Sequence, residues 1–215
     1  MKKLILESFG VTALLLLVLK LGQLFIPPKW MSLLVPVLLL YLPFAILAAQ
    51  KKPIDFVDRS FRQFWLGLAA FLITIVIVFP PYMLAAHYWM IHIFHFDAFK
   101  AAPLKTLWDP LPYQILAVAI PEEFYFRGYL QPLMNKIWRP KWRLFGANLG
   151  WGWIITALVF AFAHSVIQLQ WWHFSIFFPA LLFGYLKERT GSITAPILFH
   201  AFSNAFMNWF SKSYF

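Results

Sequence analysis

The feature that constrains this chain most is a set of apolar runs with no polar face. Residues 11–19 read VTALLLLVL, and a helix that is apolar all round belongs in a membrane or at the centre of a large protein. Such runs recur at lengths near the roughly 20 residues that cross a bilayer core of about 30 Å. Composition closes the soluble alternative. Of the 215 residues 62% are hydrophobic and only 12% charged, about half the ~25% charged that soluble domains carry. A transmembrane barrel would alternate apolar and polar residues over segments of about ten, and these runs do not alternate. The expected fold is all-α: a polytopic membrane helix bundle forming a single domain over residues 1–215.

Seven spans are expected, at residues 5–26, 31–49, 63–86, 111–133, 147–165, 172–186 and 192–210. The stretch His87–Phe99 (HYWMIHIFHFDAF) is too short to span. It is expected as an interfacial helix, or as part of an eighth span. Trp30, Trp89, Trp108, Trp138, Trp171, Trp172 and Trp209 fall near proposed span ends, as in an interfacial aromatic belt. Lys2 and Lys3 precede an apolar run like that of a signal peptide. No small-residue cleavage site follows, so the first span is expected to be retained.

The net charge of +10 would suggest nucleic acid in a soluble protein. Here the basic residues sit in loops between spans, where lipid head groups and the positive-inside rule account for them, so no nucleic-acid partner is expected. The N-terminus and the second, fourth and sixth loops hold twelve Lys and Arg, and the alternate side holds four. That bias places the N-terminus in the cytoplasm and, with seven crossings, the C-terminus outside; an integral protein of a bacterial inner membrane is expected. Cysteine is absent, which excludes disulfides, thiol nucleophiles and thiolate metal sites.

Charges inside spans are costly, about 2.5–3.5 kcal/mol at a helix centre. Glu122, Glu123, Arg127, His164 and His200 nevertheless fall within spans of the second half, joined by Asn204. The first half has only Glu7 and Lys20, close enough to span ends to reach the interface. One polar site in helices 111–210, supported by the helices of residues 1–100, is the expected arrangement. Glu123 and Arg127 are four apart and can pair on one face. Glu122 points about 100° away on the same helix, free to face a cavity. His200 and Asn204 share a face, as do Phe160 and His164. A depth estimate from helix rise brings Glu122, His164, His200 and Asn204 together in the outer half of the bilayer. A carboxylate beside a histidine can deprotonate a water. A second histidine and an asparagine can donate to the oxyanion formed as water attacks a carbonyl. No G-x-S-x-G and no cysteine nucleophile is present, so hydrolysis without a covalent intermediate is the chemistry these residue types support.

These residues resemble the motifs of the CAAX-processing and bacteriocin-immunity (CPBP, or Abi) intramembrane proteases. Pro121-Glu122-Glu123-Phe124-Tyr125-Phe126-Arg127 is similar to the family's EExxxR, Phe160 to His164 to its FxxxH, and His200 to Asn204 to its HxxxN. The resemblance covers about residues 111–210. It implies Glu122 as general base with His164 as its partner, His200 and Asn204 as oxyanion hole, and Glu123 and Arg127 in supporting positions with Phe160. It also implies a membrane-anchored peptide or protein as substrate, cut near its C-terminus. Members have been called metalloproteases. The zinc-protease pattern H-E-x-x-H is absent here, so a glutamate mechanism without cofactor is expected. Were zinc used, its ligands would be Glu122, His164 and His200. The string EEFYFRGYLQ is further similar to a branch that processes C-terminal sorting tails, the myxosortase-like enzymes. A non-catalytic immunity or binding protein that keeps the fold is the alternative, disfavoured by the intact motifs. A proton-relay transporter would show repeated halves, and none is visible.

Ser165 and Ser203 are expected to bond back to their own helices. His87, His92, His95 and His173 read as interfacial packing. Gly150 and Gly152, with Ala147 and Ala157, suggest close helix packing, and Pro179 and Pro196 are expected to kink their spans.

Overall fold

The computed structural model describes residues 1–215 except the side chains of Trp171 and Trp172, so their place in the aromatic belt lies outside the described residues. Seven long helices follow one another. They are α1 (Lys2–Phe25), α2 (Pro28–Ala49) and α3 (Phe61–His92), α4 (residues 111–137), α5 (Trp151–Gln168), α6 (Phe177–Thr190) and α7 (Thr194–Ser211). α1, α2, α3 and α5 are each long and apolar enough to cross a membrane. The chain is an all-α membrane bundle, and its apolar helices make it an integral membrane protein.

Three departures from the expected spans have physical causes. First, residues 87–92 continue α3, and no interfacial helix follows. The 32 residues of α3 reach about 48 Å at 1.5 Å each, well past the bilayer core. After His95, at φ 57°, the chain is extended and pairs with the C-terminus: Lys100 N–H donates to the Ser213 carbonyl at 2.8 Å, and Phe99 bridges Tyr214. Second, residues 147–149 are not helical. They form β2 (Ala147–Leu149), antiparallel to β1 (Trp142–Leu144), across a two-residue turn with Phe145 at φ 45° and Gly146 at φ 84°. Two positive φ values in a two-residue loop match the twist of a hairpin. Third, Pro179 and Pro196 do not kink mid-span. Each is the third residue of its helix, in the first turn, where the missing N–H leaves no hydrogen bond broken.

The loops sort into two ends. At one, Gln50 donates to Glu7 at 3.0 Å, Ile193 N–H to the Phe56 carbonyl at 2.9 Å, and Tyr185 OH to the Phe145 carbonyl at 3.2 Å. At the other, Trp209 donates to the Ala102 carbonyl at 2.8 Å, and Lys20 to the Ile167 carbonyl at 3.3 Å. This is the alternation that seven crossings require.

α4 is the core of the bundle. It packs on α2, α5, α6 and α7, and Phe124–Leu130 are buried without exception. The outer faces of α1 and α3 are apolar and open, as at Leu14 and Val76, and suit lipid. α4 is not a regular α-helix. Gln114–Ala119 and Phe124–Leu130 are π-helical, and each stretch ends two residues before a proline, Pro121 or Pro132. A proline cannot donate to the carbonyl four residues back and its ring clashes with it, so the helix widens there. Single π turns are frequent at functional sites, and Glu122 and Glu123 lie between these two.

α5 meets α4 at backbone distance. A Cβ on Gly152 would stand 2.7 Å from the backbone N of Asn135 and 2.7 Å from the carbonyl carbon of Met134. Backbone atoms cannot step aside, so Gly152→Ala is expected to destabilise the bundle by about 1–3 kcal/mol, read as a lower unfolding midpoint in detergent. An unchanged midpoint would mean the two helices do not meet there.

Candidate active site

Four side chains from three helices converge beside one cavity. Glu122, on α4, turns to a cavity of about 690 Å³ between α3, α6 and α7, whose lining also includes His164, His200 and Asn204. Glu122 Oε2 lies 3.6 Å from His164 Nε2 and 3.9 Å from His200 Nε2. Both distances exceed a direct hydrogen bond. Glu122 Oε2 is buried and has no hydrogen-bond partner among the described residues, so it is an open acceptor flanked by two imidazoles.

The histidines are set from behind. His164 Nδ1 is 2.9 Å from the Phe160 carbonyl, an acceptor only, so Nδ1 carries the hydrogen and Nε2 faces Glu122. His200 Nδ1 is 2.9 Å from Glu123 Oε1, which again assigns the hydrogen to Nδ1. The His200 ring stacks on Phe183, with centroids 4.7 Å apart and an angle of 14° between planes. His173, expected as an interfacial residue, has Nδ1 3.4 Å from the His164 carbonyl.

Glu123 faces away from the cavity and is fully buried, with Arg127 Nε 3.2 Å from its Oε2. The pair is close but not aligned as a hydrogen bond. Arg127 donates through Nη2 to the Ala180 carbonyl at 3.0 Å, and its guanidinium carbon stands 4.3 Å from the centroid of the Phe160 ring, a cation–π contact. Glu123 thus joins Arg127 on one side to His200 on the other, and Phe160 supports both Arg127 and His164. Ser165 and Ser203 bond back to the Ala161 and Phe199 carbonyls, at 3.1 and 2.6 Å.

Gln114 was not among the residues expected at the site. Its Oε1 accepts from Asn204 Nδ2 at 2.9 Å, a contact that holds the Asn204 amide beside the cavity. A polar residue inside a proposed span was the available signal. His87 pairs with Tyr214 OH at 2.7 Å and His92 packs on Tyr88. Among the described residues no group of three His, Asp or Glu side chains is spaced to hold a metal ion.

A membrane-buried carboxylate with two oriented imidazoles and an amide along a cavity is an arrangement that can support hydrolysis by an activated water. Residues 104–206 match the family described as Type II CAAX prenyl endopeptidase Rce1-like. That stretch contains every motif residue above, and over it the chain is similar to this family of CPBP intramembrane proteases. The match reaches the family and not the myxosortase-like branch. No curated protein and no solved structure matches the chain.

Proposed function

We propose that the chain is an intramembrane endopeptidase that hydrolyses a peptide bond near the C-terminus of a membrane-anchored substrate, with Glu122 as general base. The observation that carries this is the unpartnered Glu122 Oε2 within 4 Å of both His164 Nε2 and His200 Nε2. A water on the cavity side of Glu122 gives its proton to the carboxylate while His164 orients it. The oxygen attacks the carbonyl carbon, and Glu122 returns the proton to the leaving amine. His200 gives its Nδ1–H to Glu123 and turns Nε2 toward the oxyanion position, where it donates when that nitrogen carries a proton. Asn204 supplies the second donor through the Nδ2 hydrogen that Gln114 does not take.

The cavity's apolar walls, from Val78 and Phe79 to Phe178 and Leu182, fit a substrate held by an apolar anchor, whether a lipid-modified tail or a short membrane helix. With the positive-inside orientation, the site faces the non-cytoplasmic half. Both imidazoles have Nδ1 hydrogen-bonded and Nε2 turned toward Glu122 Oε2, so Glu122, His164 and His200 are the residues that would hold a zinc ion, though they are not spaced for one here. We favour the metal-free route because Glu122 Oε2 is an open acceptor suited to a water proton and H-E-x-x-H spacing is absent.

The test uses purified protein in bilayers with lipidated and helical tail peptides. Wild type, Glu122→Gln and His164→Ala are compared with and without chelator. Cleavage by wild type that persists in chelator and is lost in both variants is expected. Loss to chelator with recovery on added zinc would overturn the metal-free route. Asn204→Ala is expected to lower kcat by about 10²–10³-fold, as removal of an oxyanion donor does. Gln114→Leu, which frees the amide to turn, is expected to lower kcat less and leave KM unchanged, and Gln114→Glu, which keeps the acceptor, to retain activity. Equal KM and kcat losses in Gln114→Leu would show a general packing role instead.

A further inference from the structure

Two cavities meet at Glu122 and His164. The second, of about 270 Å³, lies on the opposite side of α4, bounded by α1, α2 and α5, and it shares only Val118, Glu122 and His164 with the first. At its mouth stand Ser32, Tyr113 and Gln168, all exposed, at the end of the bundle where Lys20 reaches the Ile167 carbonyl. Deep inside, Thr12 Oγ1 and Tyr125 OH are buried and 2.9 Å apart. Polar groups therefore mark both ends of a shaft whose middle passes the base.

The two chambers differ in what they suit. The larger volume falls within the roughly 300–1,000 Å³ of ligand pockets, and the oxyanion donors His200 and Asn204 line it alone. A substrate carbonyl therefore sits there, and the chain carrying it covers the face of Glu122 that looks toward α6 and α7. The smaller volume holds on the order of nine waters at ~30 Å³ each. Each turnover consumes one water: its oxygen bonds to the carbonyl carbon, the carbon–nitrogen bond breaks, one proton goes through Glu122 to the amine, and the other leaves with the new carboxyl group. That water needs a route the substrate does not close.

We propose that the cavity between α1, α2, α4 and α5 is the water-supply chamber of the active site, delivering water to Glu122 and His164 while substrate fills the other cavity. The inference rests on the hydrolytic reading above, and its test separates the two. The chain has no cysteine, so single cysteines report without background. Leu16 lines the shaft, Ser203 the larger cavity, and Leu14 faces outward on α1. In bilayers and a Glu122→Gln background, 2-aminoethyl methanethiosulfonate is expected to label Leu16→Cys and Ser203→Cys but not Leu14→Cys. A tail peptide at about ten times its Kd should slow labelling at Ser203→Cys about ten-fold and leave Leu16→Cys unchanged. With Glu122 intact, Ala117→Phe, which narrows the shaft, should lower kcat about ten-fold at unchanged KM. Labelling of Leu16→Cys no faster than Leu14→Cys, or equal protection of both cavities by peptide, would overturn the proposal. Failure of wild type to cleave any peptide would instead strike the hydrolytic reading, with the labelling at Leu16→Cys still reporting whether the shaft is wet.

Discussion

Replacing Glu122 by glutamine is expected to slow peptide cleavage by about 10²–10⁴-fold, the range for loss of a general base, with the bundle still folded. The two effects separate because of how the carboxylate is held. Its Oε2 has no hydrogen-bond partner to lose, and its distances to His164 and His200 are too long for direct bonds. An amide of the same shape therefore breaks nothing in the resting protein while removing the carboxylate proposed to take a proton from water. KM should hold, because the walls that meet the substrate are unchanged. The contrast is Glu123→Gln, one residue along. Glu123 is fully buried between Arg127 and His200, so its substitution should lower the unfolding midpoint as well as the rate. If Glu122→Gln cleaves at the wild-type rate, or if the two variants unfold alike, the division of labour between the adjacent acids is wrong. Midpoints and single-turnover rates on the same preparations decide it.

That the two acids face apart was legible in the sequence, since two neighbouring helix positions point about 100° apart and Arg127 follows Glu123 at one turn. What lay beyond sequence was the third member. Glu123 and His200 are 77 residues apart, and helix spacing pairs His200 only with Asn204. Nor could spacing reveal that Asn204 is held by Gln114, 90 residues away, for an uncharged amide near a span end carries little burial cost and draws no notice. The spans themselves were readable because lipid demands apolar runs of known length. Their ends were not, because apolarity does not stop at the bilayer surface: Phe61–His92 stays helical through its last aromatic turn. The hairpin at residues 142–149 was hidden for the opposite reason. Its turn places a phenylalanine at positive φ, where Asn or Asp would have announced it.

Arg127→Met should cost about 3–5 kcal/mol of stability, the penalty for stripping one partner from a buried ion pair. Arg127 is fully buried, and its guanidinium does three things at once: it balances Glu123, donates to the Ala180 carbonyl on α6, and covers the Phe160 ring. Methionine fills the space and keeps the contact with the ring, so what is lost is the charge and the tie to α6. Glu123 is then left in the core with His200 as its one partner. The double variant Glu123→Gln with Arg127→Met removes both charges and should recover most of the loss, since a buried pair replaced whole is often near neutral. Activity need not recover with it. Glutamine at 123 presents a neutral oxygen to His200 Nδ1, a weaker hold on the ring whose Nε2 faces the cavity. Stability restored while kcat stays low would show that the Glu123–Arg127 pair serves the site through His200. Recovery of both would reduce the pair to a means of keeping a charge inside the membrane. A single variant as stable as wild type would mean that Glu123 is not ionised in the folded chain.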